Sequence, residues 1–470
     1  MRIKFGTSGW RGVISEDFTF DNVRLLSQAV ANYLKQTKKA KKGIIVAYDT
    51  RFLSKDFARE TAKVLSSNDI NVYLSKGPTP TPVVAYNIID KKAGGAIVIS
   101  ASHNPPEYNG FKFSSENGGP SLKEVTNRVE KEVKNLNLRD IKLDERKAKK
   151  RIKLFNPAPP YLKQLEKVLD LKLMKRARMK IAIDCMNGII SGYLDKVLTK
   201  LGYEIDIINY EQDPLFNGRN PDPLPENLKG LIKKVKKEGF DLGLTVDGDS
   251  DRFGVIDNRG SFIIPNQIIG LIFYYLVKTR KKRPIVARSV STTHLVDEIA
   301  KDHGIEVKET SIGFKYISEL LTTGSCIFGA EESGGLSIEG HVPEKDGILA
   351  DLLVVEAISY FKKSIKEILS DIYKRYGRFY NKRINVEIDK SKGMKFVERL
   401  SKDPPERIIG LKVVEINQLD GCKFILENGD WLMFRMSGTE PVMRCYFESR
   451  SKKGFSNLMN EAKRMINSIS

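Results

Sequence analysis

The sequence predicts a four-part chain of three similar α/β units, with mixed or parallel sheets, followed by a smaller C-terminal α+β unit. Three observations lead there. At 470 residues the chain is too long for one ordinary hydrophobic core. A short apolar strand, a polar or Gly-rich loop and an amphipathic helix recur along it. The tail then changes to a hairpin pattern.

The strands run in order. Residues 43–48 end at Asp49-Thr50-Arg51, residues 96–99 at Ser100, and residues 181–183 at Asp184 to Gly188. Residues 242–246 end at Asp247, 285–287 at Arg288-Ser289, and 326–328 at Gly329-Ala330-Glu331. Continuous apolar strands alternating with helices are the pattern of mostly parallel sheets covered on both faces. Ligands bind beyond the carboxyl ends of such strands, where each of these polar clusters lies. Lysine-rich residues 140–153 and the proline-rich residues 156–160 read as a linker. The expected units are therefore 1–150, 155–257 and 258–376, with the α+β unit over 379–470. In the last unit Asn428-Gly429 separates two apolar runs as a hairpin turn, and a helix is expected from about Gly454.

Composition narrows the function classes. Apolar residues make up 41% of the chain and charged residues 29%, the balance of a globular protein and not a disordered one. The formal net charge of +20 invites a nucleic-acid partner. The lysines, however, are scattered over polar helix faces without interleaved aromatics, so a solvated basic surface that attracts small anions is expected, and no nucleic acid. Cys185, Cys326, Cys422 and Cys445 are far apart and show no ligand spacing, as expected of reduced thiols. With no signal-peptide core and no apolar run long enough for a bilayer, a soluble cytoplasmic protein without a membrane partner is expected.

Four motifs carry chemistry. Ser102 lies in Ser100-Ala-Ser-His-Asn-Pro105, with Lys112 shortly after. A serine can carry a phosphoryl group where a base and a cation are close. Asp247, Asp249 and Asp251 alternate in one loop, and three carboxylates with a phosphate oxygen make a hard, all-oxygen site suited to Mg²⁺. A calcium EF-hand is excluded, because its glycine and glutamate positions hold Arg252 and Asn258. The competing reading, an inert Asp/Gly turn, does not account for the buried strand before it or for Arg252 after it, which could reach a phosphate. Glu331 and Ser333, bracketed by glycines, could hydrogen-bond vicinal sugar hydroxyls or simply belong to a surface loop. Lys345 could shuttle a proton or open a solvated helix. Arg435, Ser437, Gly438, Thr439 and Arg444 could clamp a phosphate. No P-loop or GxGxxG run accompanies them.

With these four motifs in this order the chain resembles the α-D-phosphohexomutase family, in its phosphoglucomutase- and phosphomannomutase-like branch. The opening segment with Trp10-Arg11-Gly12 matches as well. The resemblance implies four domains around one central cleft. It implies Mg²⁺ held by Asp247, Asp249, Asp251 and a phosphate on Ser102, with Arg11 pointing at that serine. The phosphoserine would convert hexose 1-phosphate and hexose 6-phosphate into one another through a bound 1,6-bisphosphate, which also acts as activator. Glu331 and Ser333 would read hydroxyls, Thr310 would lie in a substrate segment with Gly313 and Lys315, and the Arg435–Arg444 loop would hold the phosphate that is not reacting. Where many bacterial members carry His after the Ser-Gly of the sugar loop, this chain has Gly335. Lys345, with His103 and Lys112, then becomes the acid/base candidate, and glucose or mannose phosphates are favoured over glucosamine phosphate. The expected partner is a phosphosugar, and the expected state a monomer or homodimer. The alternatives are a phosphoglucosamine mutase, a net phosphatase, or a phosphosugar-binding protein without chemistry.

Overall fold

The run Ile-Ile-Val-Ala-Tyr is buried along its whole length as the strand Ile44–Tyr48, and Gly95–Ile99 and Leu242–Val246 share that pattern. The computed structural model describes residues 3–6, 9–281, 283–438 and 441–469. Among them the strands form four sheets. In the first sheet Val72–Ser75, Ile44–Tyr48 and Gly95–Ile99 are parallel, and Tyr108–Ser115 adds antiparallel to the last. In the second, Glu204–Ile208, Lys180–Asp184 and Leu242–Val246 are parallel, and Phe253–Asp257 adds antiparallel. In the third, Glu306–Thr310, Ile285–Ser289 and Cys326–Glu331 are parallel, and Gly335–Ile338 adds antiparallel. All three units thus place the same four strands in the same order, the second beside the first, then the third, then the fourth. The repeat is one of topology, with no plain repeat in sequence.

That order singles out one loop per unit, the link from the last parallel strand to its antiparallel partner. The three links carry the serine motif, the three aspartates and the Glu331–Ser333 segment.

Packing brings the links together. Alternate residues of the first sheet face two helical layers. Val46 and Ile97 lie in one core, with Leu26 and Phe57, and Ala47 and Val98 in the other, with Val84 and Ile88. The second and third units share one continuous core that runs from Ile183 and Leu244 to Phe328 and Leu352. Its centre is the largely apolar helix Gly347–Phe361, in which Asp351 and Glu356 are also buried, capped by Asp346, whose side chain accepts from Leu349 N at 2.9 Å. Lys345 stands just before this helix, so the shared core fixes it against the aspartate loop. The fourth unit is an antiparallel sheet of six strands with the helices Lys390–Lys402 and Lys452–Asn467 packed on it. The predicted hairpin forms from Cys422–Leu426 and Trp431–Met436, with Gly429 at φ 83°. No helix among the described residues is long and apolar enough to cross a membrane.

Two expectations need correction. The lysine-rich stretch read as a linker folds into the helix Glu145–Arg151 and the strand Ile152–Phe155, which pairs with Val72–Ser75, so the first sheet extends past residue 150 to Phe155. The second sheet likewise continues past residue 257 into Phe262–Ile263. Two of the polar groups that end strands have partners within their own unit. Asp184 accepts from Asn209 at 2.8 Å, and Arg288 is spent on Asp297, at 2.6 Å, and Glu309.

Candidate active site

Ser102 has left-handed backbone, φ 53°, and its N–H donates to Ser100 Oγ at 2.9 Å. A non-glycine residue there is held by its surroundings, and the holder is Arg51. Its guanidinium, buried and paired with Asp49 at 3.2 Å, donates to the carbonyls of Ser102 (2.7 Å), Asn104 (2.6 Å), Pro105 (2.6 Å) and Tyr108 (2.9 Å). Arg11, on the strand Trp10–Val13, reaches the same loop through Asn104 Oδ1.

The aspartate loop closes on this serine. Asp247 Oδ1 accepts from the backbone of Asp251 (2.8 Å) and Arg252 (3.0 Å), while its Oδ2 accepts from Ser102 Oγ at 2.6 Å. A Cβ on Gly248 would lie 2.7 Å from Ser102 O, so only glycine admits this approach. One oxygen from each of Asp247, Asp249 and Asp251 lies within 4.8 Å of the others, and all three residues are buried. Asp249 Oδ2 accepts from Thr81 Oγ1 at 2.5 Å and from Lys112 Nζ. Asp251 Oδ2 takes the Lys345 ammonium, with Lys112 at 3.5 Å. The Oδ1 atoms of Asp249 and Asp251 are buried without a hydrogen-bond partner.

The electrostatics suit a divalent cation. Burial, then the charges of Asp251 and Asp249, push the Asp247 carboxyl well above the usual range. Burial acts the same way on Asp249 and Asp251, but Lys112 at the first and Lys345 at the second hold them below it. Three carboxylates that repel one another, two orphaned oxygens and an all-oxygen donor set fit Mg²⁺. His103, with Nδ1 3.3 Å from Ser102 Oγ, is pushed well below its ordinary range by burial and then by Arg252 and Arg11. Its ring is uncharged near neutral pH. Burial would lower Lys345, yet Asp251 and Glu344 more than offset this and keep the ammonium charged.

Of the other expected residues, Glu331 ends its strand buried and accepts from Gly313 N at 2.7 Å, which joins the Glu331–Ser333 loop to the segment of Thr310, Gly313 and Lys315. Ser333 sits half-buried at the tip of the turn beside it. A Cβ on Gly335 would overlap the Lys345 side chain, so the lysine stem occupies the space a residue larger than glycine would need. Arg252 approaches Asp222 at 3.9 Å. In the fourth unit Arg435 and Arg444 are directly opposite on paired strands, Ser437 is buried and Gly438 exposed. Thr439 lies outside the described residues. Arg383 of this unit pairs with Glu332 of the Glu331–Ser333 loop at 3.1 Å.

Four contributors had no reading of their own in the sequence: Arg51, Thr81, Glu344 and Asp420. Arg51 was visible only as the end of an Asp-x-Arg strand terminus, and its work is on carbonyls far along the chain. Glu344, beside Lys345, is raised to about 7 by burial. Asp420 accepts from Arg435 Nε at 2.8 Å and had no signal beyond lying in a turn.

Family models described as phosphoglucomutase/phosphomannomutase α/β/α domains I, II and III match residues 2–140, 159–260 and 264–376, and the model of the C-terminal domain matches 384–464. A phosphoglucomutase/phosphomannomutase of Thermococcus kodakarensis is 30% identical over 96% of this chain and 95% of its own. A phosphoglucosamine/phosphogalactosamine mutase of Sulfurisphaera tokodaii is 28% identical over 98% of each. The solved structure of a phosphoglucomutase/phosphomannomutase family protein from Burkholderia thailandensis superposes with a TM-score of 0.85 at 20% identity, covering 100% of this chain and 98% of that one, a likeness of fold.

Proposed function

The chain belongs to the phosphoglucomutase/phosphomannomutase family of phosphotransferase mutases, and from that premise we propose that it interconverts hexose 1-phosphate and hexose 6-phosphate, of glucose or mannose, through a phosphorylated Ser102 and a bound 1,6-bisphosphate. The observation that carries the proposal is Ser102 Oγ at 2.6 Å from Asp247, within a buried triad flanked by Lys112 and Lys345.

Asp247, Asp249 and Asp251, with a phosphate on Ser102, would hold Mg²⁺, which when bound would supply charge neutralisation at the phosphoryl oxygens. A sugar hydroxyl oxygen attacks phosphorus, a new P–O bond forms, and the bond to Ser102 Oγ breaks. The hydroxyl proton passes to Ser102 Oγ as that oxygen leaves phosphorus, and the uncharged His103 ring, 3.3 Å away, accepts it from Oγ when the serine attacks in the return step. The Lys345 ammonium, kept charged by Asp251, donates to the phosphoryl group together with Lys112, while Arg11 steadies the serine loop through Asn104. Glu331 and Ser333 read hydroxyls shared by both orientations of the sugar, with Thr310 and Arg252 beside them. Arg435, Ser437, Gly438, Thr439 and Arg444 hold the phosphate that is not reacting. The bisphosphate then turns in the cleft and returns its other phosphoryl group to Ser102.

Phosphoglucosamine is the second reading, favoured by the name of the Sulfurisphaera relative. Glucose, mannose and glucosamine 1-phosphates assayed side by side, with and without EDTA, decide between them by relative kcat/KM. Turnover should vanish with EDTA and in Ser102→Ala while the fold persists. An unchanged rate in that variant contradicts the proposal.

A further inference from the structure

Asp420 lies in the turn between the strands Leu411–Asn417 and Cys422–Leu426. The pairing of Cys422 with Phe434 sets this turn beside Arg435. Its two carboxylate oxygens are divided between two units. Oδ1 accepts from Arg435 Nε at 2.8 Å, and Oδ2 accepts from the backbone N–H of Ile312, in the third unit, at 2.9 Å. The next N–H along, that of Gly313, donates to Glu331 Oε1 at 2.7 Å. Two further bonds seat the turn on the third unit, Ser311 Oγ to Leu419 O at 3.2 Å and Asn417 Nδ2 to Glu309 Oε1. A short path of hydrogen bonds therefore runs from a phosphate-loop arginine, across the boundary between units, to the carboxylate of the sugar loop. A carboxylate bonded at Nε leaves the Nη1–Nη2 edge of a guanidinium as the edge that can meet a phosphate in bidentate fashion.

We propose that Asp420 is a positioning residue. It sets the phosphate-reading edge of Arg435 and ties it, through the backbone at 312 and 313, to the hydroxyl-reading Glu331, so that this bonded spacing measures a hexose phosphate from its distal phosphate to its hydroxyls. This rests on the reading that the non-reacting phosphate sits at Arg435. Asp420 touches no reacting atom, so its removal loosens substrate binding and leaves the phosphoryl-transfer step in place.

The test is steady-state kinetics on glucose 1-phosphate with the isosteric Asp420→Asn, alone and combined with Arg435→Ala and Glu331→Gln. Asp420→Asn should raise KM by about tenfold with kcat within about threefold of the parent. Added to Arg435→Ala it should change KM by less than about twofold, because the group it orients is gone. Combined with Glu331→Gln it should depart from additivity by at least about threefold in kcat/KM. An unchanged KM for Asp420→Asn, while Arg435→Ala raises it, overturns this inference alone. An equal loss of kcat and thermal midpoint at constant KM overturns it in favour of a purely structural role. Full additivity in both double variants also overturns it. If Arg435→Ala itself leaves KM unchanged, the placement of the phosphate fails, and this inference falls with it.

Discussion

Ser102, the proposed nucleophile, is positioned by a side chain that bonds the backbone of its loop. Its left-handed backbone is imposed by one buried guanidinium that satisfies four carbonyls of the serine loop. A lysine offers a point charge and cannot reproduce that planar fork. Arg51→Lys should therefore lower kcat by about ten- to a hundredfold, because a displacement of the loop moves Oγ out of line with the phosphoryl group. Steady-state kinetics checks this, with circular dichroism to establish that the fold persists. The serine, the aspartates and the two glutamate-loop residues were legible in the sequence because each motif packs its chemistry into a few contiguous residues. Arg51 and Asp420 were not, because each works through backbone groups distant in sequence, which leave no local pattern.

Elements were legible where burial is uniform. Runs such as 44–48 and 242–246 are apolar throughout because both sheet faces are covered, and the structure places strands there. The strand Ile152–Phe155 escaped notice because it is an edge, with Lys153 and Leu154 exposed and a lysine-rich helix before it. Charge was just as misleading at the boundary between the third and fourth units. Lys423 reads as one more surface lysine, yet it is buried, with Nζ 2.8 Å from Val290 O and from His294 Nε2 and 4.5 Å from the centre of the Trp431 ring. Burial, and then Arg288, lower its ammonium from 10.5 to about 8. Between those two values the unfolded chain binds the proton and the folded chain does not. Stability should therefore climb as pH rises through this window, by up to about 3 kcal/mol. Urea unfolding followed by Trp431 fluorescence should show the climb in the parent and a flat profile in Lys423→Met.

For the whole molecule, three copies of one topology deliver three different loops to a shared centre, and the fourth unit closes on it through Arg383 and Asp420. The chain carries a net +20, and Arg11, Lys112, Arg252 and Lys345 gather around the aspartates. In the proposed reaction such a field would retain the doubly phosphorylated intermediate while it turns. Raising salt from about 0.05 to about 0.5 M shortens the screening length severalfold, so KM for glucose 1-phosphate should rise and more free 1,6-bisphosphate should appear in the medium. Both are measurable by coupled assay and ion-exchange chromatography. The most direct measurement is phosphopeptide mapping after incubation with glucose 1,6-bisphosphate and Mg²⁺, followed by a chase with unlabelled glucose 1-phosphate. A single phosphoryl group on Ser102 that leaves during the chase at the rate of turnover is the predicted result. Turnover that proceeds with Ser102 never labelled, or with the label on another residue, would contradict the account.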